Sequence, residues 1–203
     1  MTRVEKVMRE VAAALDARKM RYALIGGLAV SARAEARFTR DVDWAVAVQG
    51  DAEAEALVHS LIEAGYLVLM TVEQDETKRL ATVRLLPPGE SPHGVVADLL
   101  FASSGIEQEL VAAADRIAIL PGLQVPVAKV GHLIALKILS TAPSRPQDDA
   151  DLRALAAVAV SADLDLAQQT LALIEARGFA RGKRLIDEFG RLVLARATPL
   201  RPS

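Results

Sequence analysis

The spacing of hydrophobic and polar positions changes several times along the chain, and each change predicts an element. In residues 2–18, Val4, Val7, Met8, Val11 and Leu15 recur at helical spacing, which predicts an amphipathic helix packed by its apolar side. Residues 22–25 form a short apolar run ending in Gly26-Gly27, the pattern of a strand and a turn, and residues 28–35 are predicted to be helical. From Arg37 the period becomes two: Arg37, Thr39, Asp41 and Asp43 fall on one side, and Val42, Trp44, Val46 and Val48 on the other. That is a strand with one buried face. Residues 51–64 predict a helix with Leu57, Val58, Leu61 and Ile62 on one face and Gly65 as its stop. Residues 66–70 read as a strand, 71–78 as a polar loop or strand end, 80–86 as a strand, and 87–94 as a Pro- and Gly-rich loop. Residues 95–101 are an apolar strand carrying one acid, Asp98. A short helix at 107–114 precedes a hairpin, 116–120 and 123–127, across Pro121-Gly122. Beyond residue 128 only helical periods occur, at 129–140, 148–160, 164–177 and 181–196. The pattern therefore predicts an α/β unit over 1–127 and an α-helical unit over 128–203.

Alternation places the carboxylates of Asp41 and Asp43 side by side on the polar face of their strand. Two carboxylates about 4 Å apart repel by roughly 4 kcal/mol at an effective dielectric near 20, so the pair calls for a partner. A divalent cation removes the cost, and hard cations such as Mg²⁺ take oxygen ligands from one or two carboxylates together with substrate phosphates. Gly26-Gly27 fits the same chemistry, because glycine lets a backbone approach a phosphate closely at a helix start. A single acid such as Asp98 in a central strand is either salt-bridged, to Arg37 or Arg84, or functional.

Composition narrows the chemistry. The chain has 203 residues, no cysteine and a formal net charge of −2. Thiolate zinc sites and cysteine nucleophiles are excluded, leaving oxygen ligands. No global field attracts nucleic acid, so an RNA contact needs a local basic patch, for which Arg177, Arg181, Lys183 and Arg184 are the candidate. One Trp, two Tyr and four Phe offer few platforms for stacking bases. Hydrophobic residues make up 52 %, yet no run of about 18 uncharged apolar residues occurs, and the first residues lack an apolar signal core. A cytoplasmic protein without membrane contact is expected. His59, His93 and His132 are scattered without metal-ligand spacing.

Gly26-Gly27, thirteen intervening residues, then Asp41-x-Asp43 with apolar flanks resembles the signature of the DNA polymerase β-like nucleotidyltransferase superfamily. Within it, Arg37-x-Thr39-Arg40-Asp41-x-Asp43 most resembles the AbiEii/AbiGii group of toxin nucleotidyltransferases. The superfamily often has Gly-Ser where this chain has Gly27. The resemblance implies a mixed sheet with flanking helices followed by a helical C-terminal domain. It also implies two Mg²⁺ ions held by Asp41, Asp43 and a third carboxylate from a later strand, for which Asp98 matches in order and context. Gly26, Gly27, Arg37, Thr39 and Arg40 would bind the nucleoside triphosphate, with Asp98 activating the acceptor.

A second constellation follows in the helical unit. Lys137 lies on an apolar helix, and Arg145, Asp148 and Asp151 follow in a run similar to one in the AbiEii-like group, with Gln147 replacing its usual base. The resemblance implies that Lys137, Arg145 and Asp148 face the triphosphate. Alternatively, Lys137 snorkels from a core helix, Asp148 is an N-cap, and Asp149 and Asp151 favour the first helical turn. The implied activity is transfer of a nucleoside monophosphate to an acceptor hydroxyl, with tRNA or another RNA as acceptor and a cognate antitoxin as partner. The alternatives are a small-molecule nucleotidyltransferase acting on aminoglycosides and a non-catalytic nucleotide-binding module.

Overall fold

The computed structural model describes residues 1–75, 77–91 and 93–197. Glu76 and Pro92, expected in the two polar loops, lie outside the described residues. The chain begins with α1 (Arg3–Ala17), opened by a capping box in which Thr2 and Glu5 satisfy each other's backbone N–H. Its predicted face is buried, with Val7, Met8, Val11 and Leu15 essentially inaccessible. Next come β1 (Arg21–Ile25), α2 (Gly26–Arg33) and β2 (Asp41–Ala47). Gly26 and Gly27 are the first residues of α2 rather than a separate turn.

Five more strands complete one mixed sheet: β3 (Leu67–Glu73), β4 (Leu80–Leu86), β5 (Val96–Leu100), β6 (Asp115–Leu120) and β7 (Leu123–Val127), in the order β3-β4-β5-β2-β1-β7-β6. Strand β2 runs antiparallel to β1 and parallel to β5, so the acidic strand lies at the centre of the sheet. Helices α3 (Asp51–Glu63) and α4 (Glu107–Ala113) connect strands. Below the sheet, Val42, Trp44, Val46 and Val48 are buried as their alternation requires, and the Trp44 ring meets Tyr22 edge-on at 5.2 Å. β3 runs three residues beyond its expected end, because its antiparallel ladder with β4 continues to Glu73 across two irregularities.

The C-terminal part comprises α5 (Val130–Ser140), α6 (Pro146–Val158), α7 (Ser161–Ala176) and α8 (Leu185–Ala197). Helix α6 starts earlier than its charge pattern suggests. Pro146 takes the first position, where a missing N–H costs nothing, so Asp148 is inside the first turn and not the N-cap. Leu133, Ile134 and Ile138 of α5 join the same hydrophobic cluster as the sheet residues Leu24 and Val127, which fixes the helical wall against the sheet. Among the described residues no helix is long and apolar enough to cross a membrane.

Candidate active site

The site grows from the register of three neighbouring strands. Asp43 pairs with Asp98 across the parallel β2/β5 ladder, and Asp98 pairs with Arg84 across the antiparallel β4/β5 ladder. Partners in register point to the same face, so Asp43, Asp98 and Arg84 form a row, with Asp41 two residues along β2. All four line a cleft of about 920 Å³, within the range of pockets that enclose a small ligand. The cleft is walled on one side by the start of α2 and on the other by α5 and the α5–α6 loop.

The start of α2 explains its two glycines. Gly26 has φ +63°, and a Cβ there would sit 1.9 Å from Asp43 Oδ2; a Cβ on Gly27 would sit 2.5 Å from Arg37 Nη2. No side chain caps this helix start, leaving its N–H groups and positive dipole end toward the cleft. Glycine is needed here for a left-handed backbone and for the carboxylate and guanidinium beside it, in addition to any phosphate.

Electrostatics single out Asp43. Burial first, then the Asp98 and Asp41 charges, push its carboxyl up to about 7, although Lys137 and Arg84 act in the opposite direction. A carboxylate so disfavoured in the acidic floor suits a hard cation, and Asp41 and Asp43 offer oxygens to one. Asp98 is otherwise engaged. Arg84 donates Nε to its Oδ1 at 2.8 Å and Nη2 to its Oδ2 at 2.7 Å, and Nη2 is also 3.6 Å from Asp41 Oδ2. Among the described residues no three acidic or histidine side chains stand ready as a metal cage. The donor set therefore fits Mg²⁺ at Asp41 and Asp43 as it stands, and at Asp98 only when Arg84 yields. Of the two arginines weighed as partners of Asp98, Arg84 is the one it meets.

The helical wall carries a buried ion network. Lys137 Nζ lies 2.7 Å from both Asp148 Oδ1 and Asp151 Oδ2, Arg145 Nε lies 3.0 Å from Asp148 Oδ2, and Ser140 Oγ donates to the same oxygen at 3.1 Å. Arg37 reaches across from the segment before β2 and grips Asp151, with Nε at 2.6 Å from Oδ1 and Nη2 donating to Oδ2 at 2.9 Å. Burial raises the Asp151 carboxyl, but hydrogen bonds from Arg37 and Lys137 outweigh it and hold the group below the ordinary carboxylate range. Asp148 and Asp151 thus serve as ion-pair partners of these bases, Asp148 from the first turn of α6, and Lys137, buried with its ammonium in this network, lines the cleft together with Asp148. Lys137→Met should cost about 3–5 kcal/mol, the cost of stranding buried charges, as measured by urea unfolding. A loss below about 1 kcal/mol would show that water screens the network.

The other expected residues divide. Thr39 lines the cleft and donates weakly to the Asp41 carbonyl at 3.4 Å, and Arg145 is more than half exposed at the cleft rim. Arg40 is outside the cleft lining, its guanidinium 5.7 Å above the exposed Phe38 ring. The basic run is spent largely on internal contacts. Arg177 binds Glu109 and the Gly105 carbonyl, Arg181 the Ser103 carbonyl and hydroxyl, Lys183 the Ile138 and Thr141 carbonyls, and Arg184 pairs with Asp187. Arg181 alone of these lines the cleft. Arg84 received no site role from sequence beyond pairing Asp98; its signal was a lone charge in an apolar strand, the same signal that marked Asp98.

Solved structures share this arrangement of elements. An antigenic nucleotidyltransferase-like protein from Paracoccidioides brasiliensis is similar with a TM-score of 0.54 at 20 % identity, over 99 % of this chain and 95 % of that one. The antibiotic-resistance factor ANT(2″)-Ia is similar at 0.54 and 18 %, over 85 % and 91 %, and the lincosamide antibiotic adenylyltransferase LnuA at 0.50 and 14 %, over 76 % and 98 %. No curated protein matches the chain in sequence. The fold is thus that of the nucleotidyltransferases. Residues 7–200 match the model of the family described as nucleotidyl transferase AbiEii toxin, type IV toxin–antitoxin system, and the chain belongs to that family. It is a nucleotidyltransferase enzyme.

Proposed function

We propose that the enzyme transfers a nucleoside monophosphate from a nucleoside triphosphate to a hydroxyl of an RNA, with tRNA as the first acceptor to test, and releases pyrophosphate. The observation that carries this reading is the in-register row of Asp43 and Asp98 on adjacent parallel strands, facing a cleft bordered by an uncapped glycine helix start. Asp41, Asp43 and Asp98 would hold Mg²⁺. Bound there, two such ions would supply positive charge to the phosphate oxygens and make the acceptor hydroxyl easier to deprotonate.

The chain's own residues do the rest. Gly26 and Gly27 offer backbone N–H groups to the triphosphate, and Thr39 and Arg145 border the same space. Arg37 ties the segment before β2 to α6, so the acidic strand and the helical wall hold a constant separation. Lys137 contributes its charge from within the ion network, where it favours ionised Asp43. Residues 1–127 act as the catalytic unit, and of the unit expected over 128–203 the described residues 128–197 wall its cleft.

The family description supports a toxin acting in a toxin–antitoxin pair; a cognate antitoxin as partner and the cytoplasm as the place of action extend that reading. A second reading is adenylylation of a small molecule. Glu73 and Asp75 at the cleft rim would suit a polycationic acceptor, and one structural relative, ANT(2″)-Ia, was solved with adenylyl-2″-tobramycin. Incubation with each α-labelled NTP and Mg²⁺, with tRNA in one arm and aminoglycosides in the other, separates the two. Label in tRNA alone supports the first reading, label in the aminoglycoside alone the second, and label in neither counts against both.

A further inference from the structure

Arg84 is the only charged residue of β4, and the register brings it to the end of the carboxylate row. Its guanidinium makes a two-pronged contact with both oxygens of Asp98, whose side chain is only 12 % exposed. The third contact, to Asp41 Oδ2, spans the row. A forked guanidinium takes up the lone pairs that a metal would otherwise use on the same carboxylate. Arginine keeps its charge at every physiological pH, so this plug cannot be removed by deprotonation. A cation that competes for the same carboxylate oxygens can release Asp98. The floor would otherwise hold the three negative charges of Asp41, Asp43 and Asp98 without a counter-charge beside Asp98.

Resting on the metal reading above, we propose that Arg84 is a resident counter-cation and positioning residue. It occupies Asp98 while the cleft is empty and yields that carboxylate when a divalent ion binds, so the third ligand is completed only in the loaded enzyme. The stem has somewhere to go. Met70, in register with Arg84 on β3, and Thr82 and Val72 beyond it line the outer part of the cleft and offer a surface on which the displaced side chain can lie.

The opposing view makes Arg84 a fixed support that orients Asp98 for the metal. The two views predict opposite signs for metal affinity. Mn²⁺ binding to the full chain without nucleotide is measured by isothermal titration and by the electron paramagnetic resonance of free Mn²⁺. The proteins compared are the wild type, Arg84→Ala, Arg84→Gln, Arg84→Lys, Asp43→Asn, Asp98→Asn and the Arg84→Ala/Asp98→Asn double variant. Partners around metal ligands change affinity by about 10- to 100-fold. Arg84→Ala and Arg84→Gln should therefore bind Mn²⁺ more tightly by about that factor. Arg84→Lys should fall between them and the wild type, and the double variant should lose the gain. Circular dichroism melts check folding, and Arg84→Gln, which keeps most of the stem, serves if alanine unfolds the strand. Unchanged or weaker binding in folded Arg84→Gln, with the wild type binding and Asp43→Asn not, overturns the counter-cation role alone. No Mn²⁺ bound by any of the proteins overturns the metal reading and this inference with it.

Discussion

Asp43→Asn is expected to abolish nucleotidyl transfer and to make the unliganded protein more stable. The carboxylate is squeezed between the Gly26 backbone and the Asp98 and Asp41 charges, and its carboxyl is pushed up to about 7. At neutral pH the folded protein therefore holds a carboxylate that it would rather protonate. From 3.8 to about 7 the shift corresponds to on the order of 4 kcal/mol, an upper bound because the cleft admits water. The sign follows from linkage. The folded state binds the Asp43 proton more tightly than the unfolded chain, so the stability tied to this group is fully present below about pH 4 and is lost as pH rises to about 7. Asparagine keeps the shape and removes that loss. The variant should be more stable than the wild type by a few kcal/mol at pH 8, with the difference shrinking toward pH 4.

Transfer should fall about a thousandfold or more, because charge stabilisation at the reacting phosphate is lost. Ligand stabilisation gives a second readout. Wild type should gain about 2.7 kcal/mol in Mg²⁺ and NTP at a hundredfold excess over Kd, and the variant should gain little. Urea melts from pH 4 to 8 and single-turnover assays check both parts. Equal stabilities at pH 8, or transfer at the wild-type rate, would sink the argument.

Asp98→Asn should have an equally large effect on transfer but leave NTP binding largely intact. Asp41 and Asp43 share β2 with its approach to the glycine helix start, where the triphosphate would lie. Asp98 comes from β5, on the side of the row nearer Arg84, Met70 and Val72, where the acceptor would approach. A group acting on the acceptor contributes mostly in the transition state, so its loss lowers kcat far more than it raises KM. Folding survives, because Arg84 is about one-third exposed and water can take over its freed N–H groups. Nucleotide affinity and single-turnover transfer for Asp41→Asn, Asp43→Asn and Asp98→Asn decide it. An equal loss of NTP binding in all three would remove any separate acceptor role for Asp98.

Alternation and helical period determined much of this protein without a structure. The acidic strand, its buried Val42–Trp44–Val46 face, the N-terminal helix and the helical C-terminal half could be read directly, because side-chain period and burial are coupled within one element. Asp98 could be flagged for the same reason: a charge in an apolar strand needs a partner or a task. What that partner or task is depends on contacts between elements, which local pattern cannot encode. Strand order put Asp98 beside Asp43 and Arg84 beside Asp98, a pairing spanning 14 residues of sequence. The Arg37–Asp151 contact spans 114 residues, and together with Lys137, which pairs with both Asp148 and Asp151, it makes these acids the anions of a buried network. Sequence alone determined which residues carry charge on which face of which element; only the tertiary structure decided which charges meet, because that depends on how strands and helices are placed beside one another.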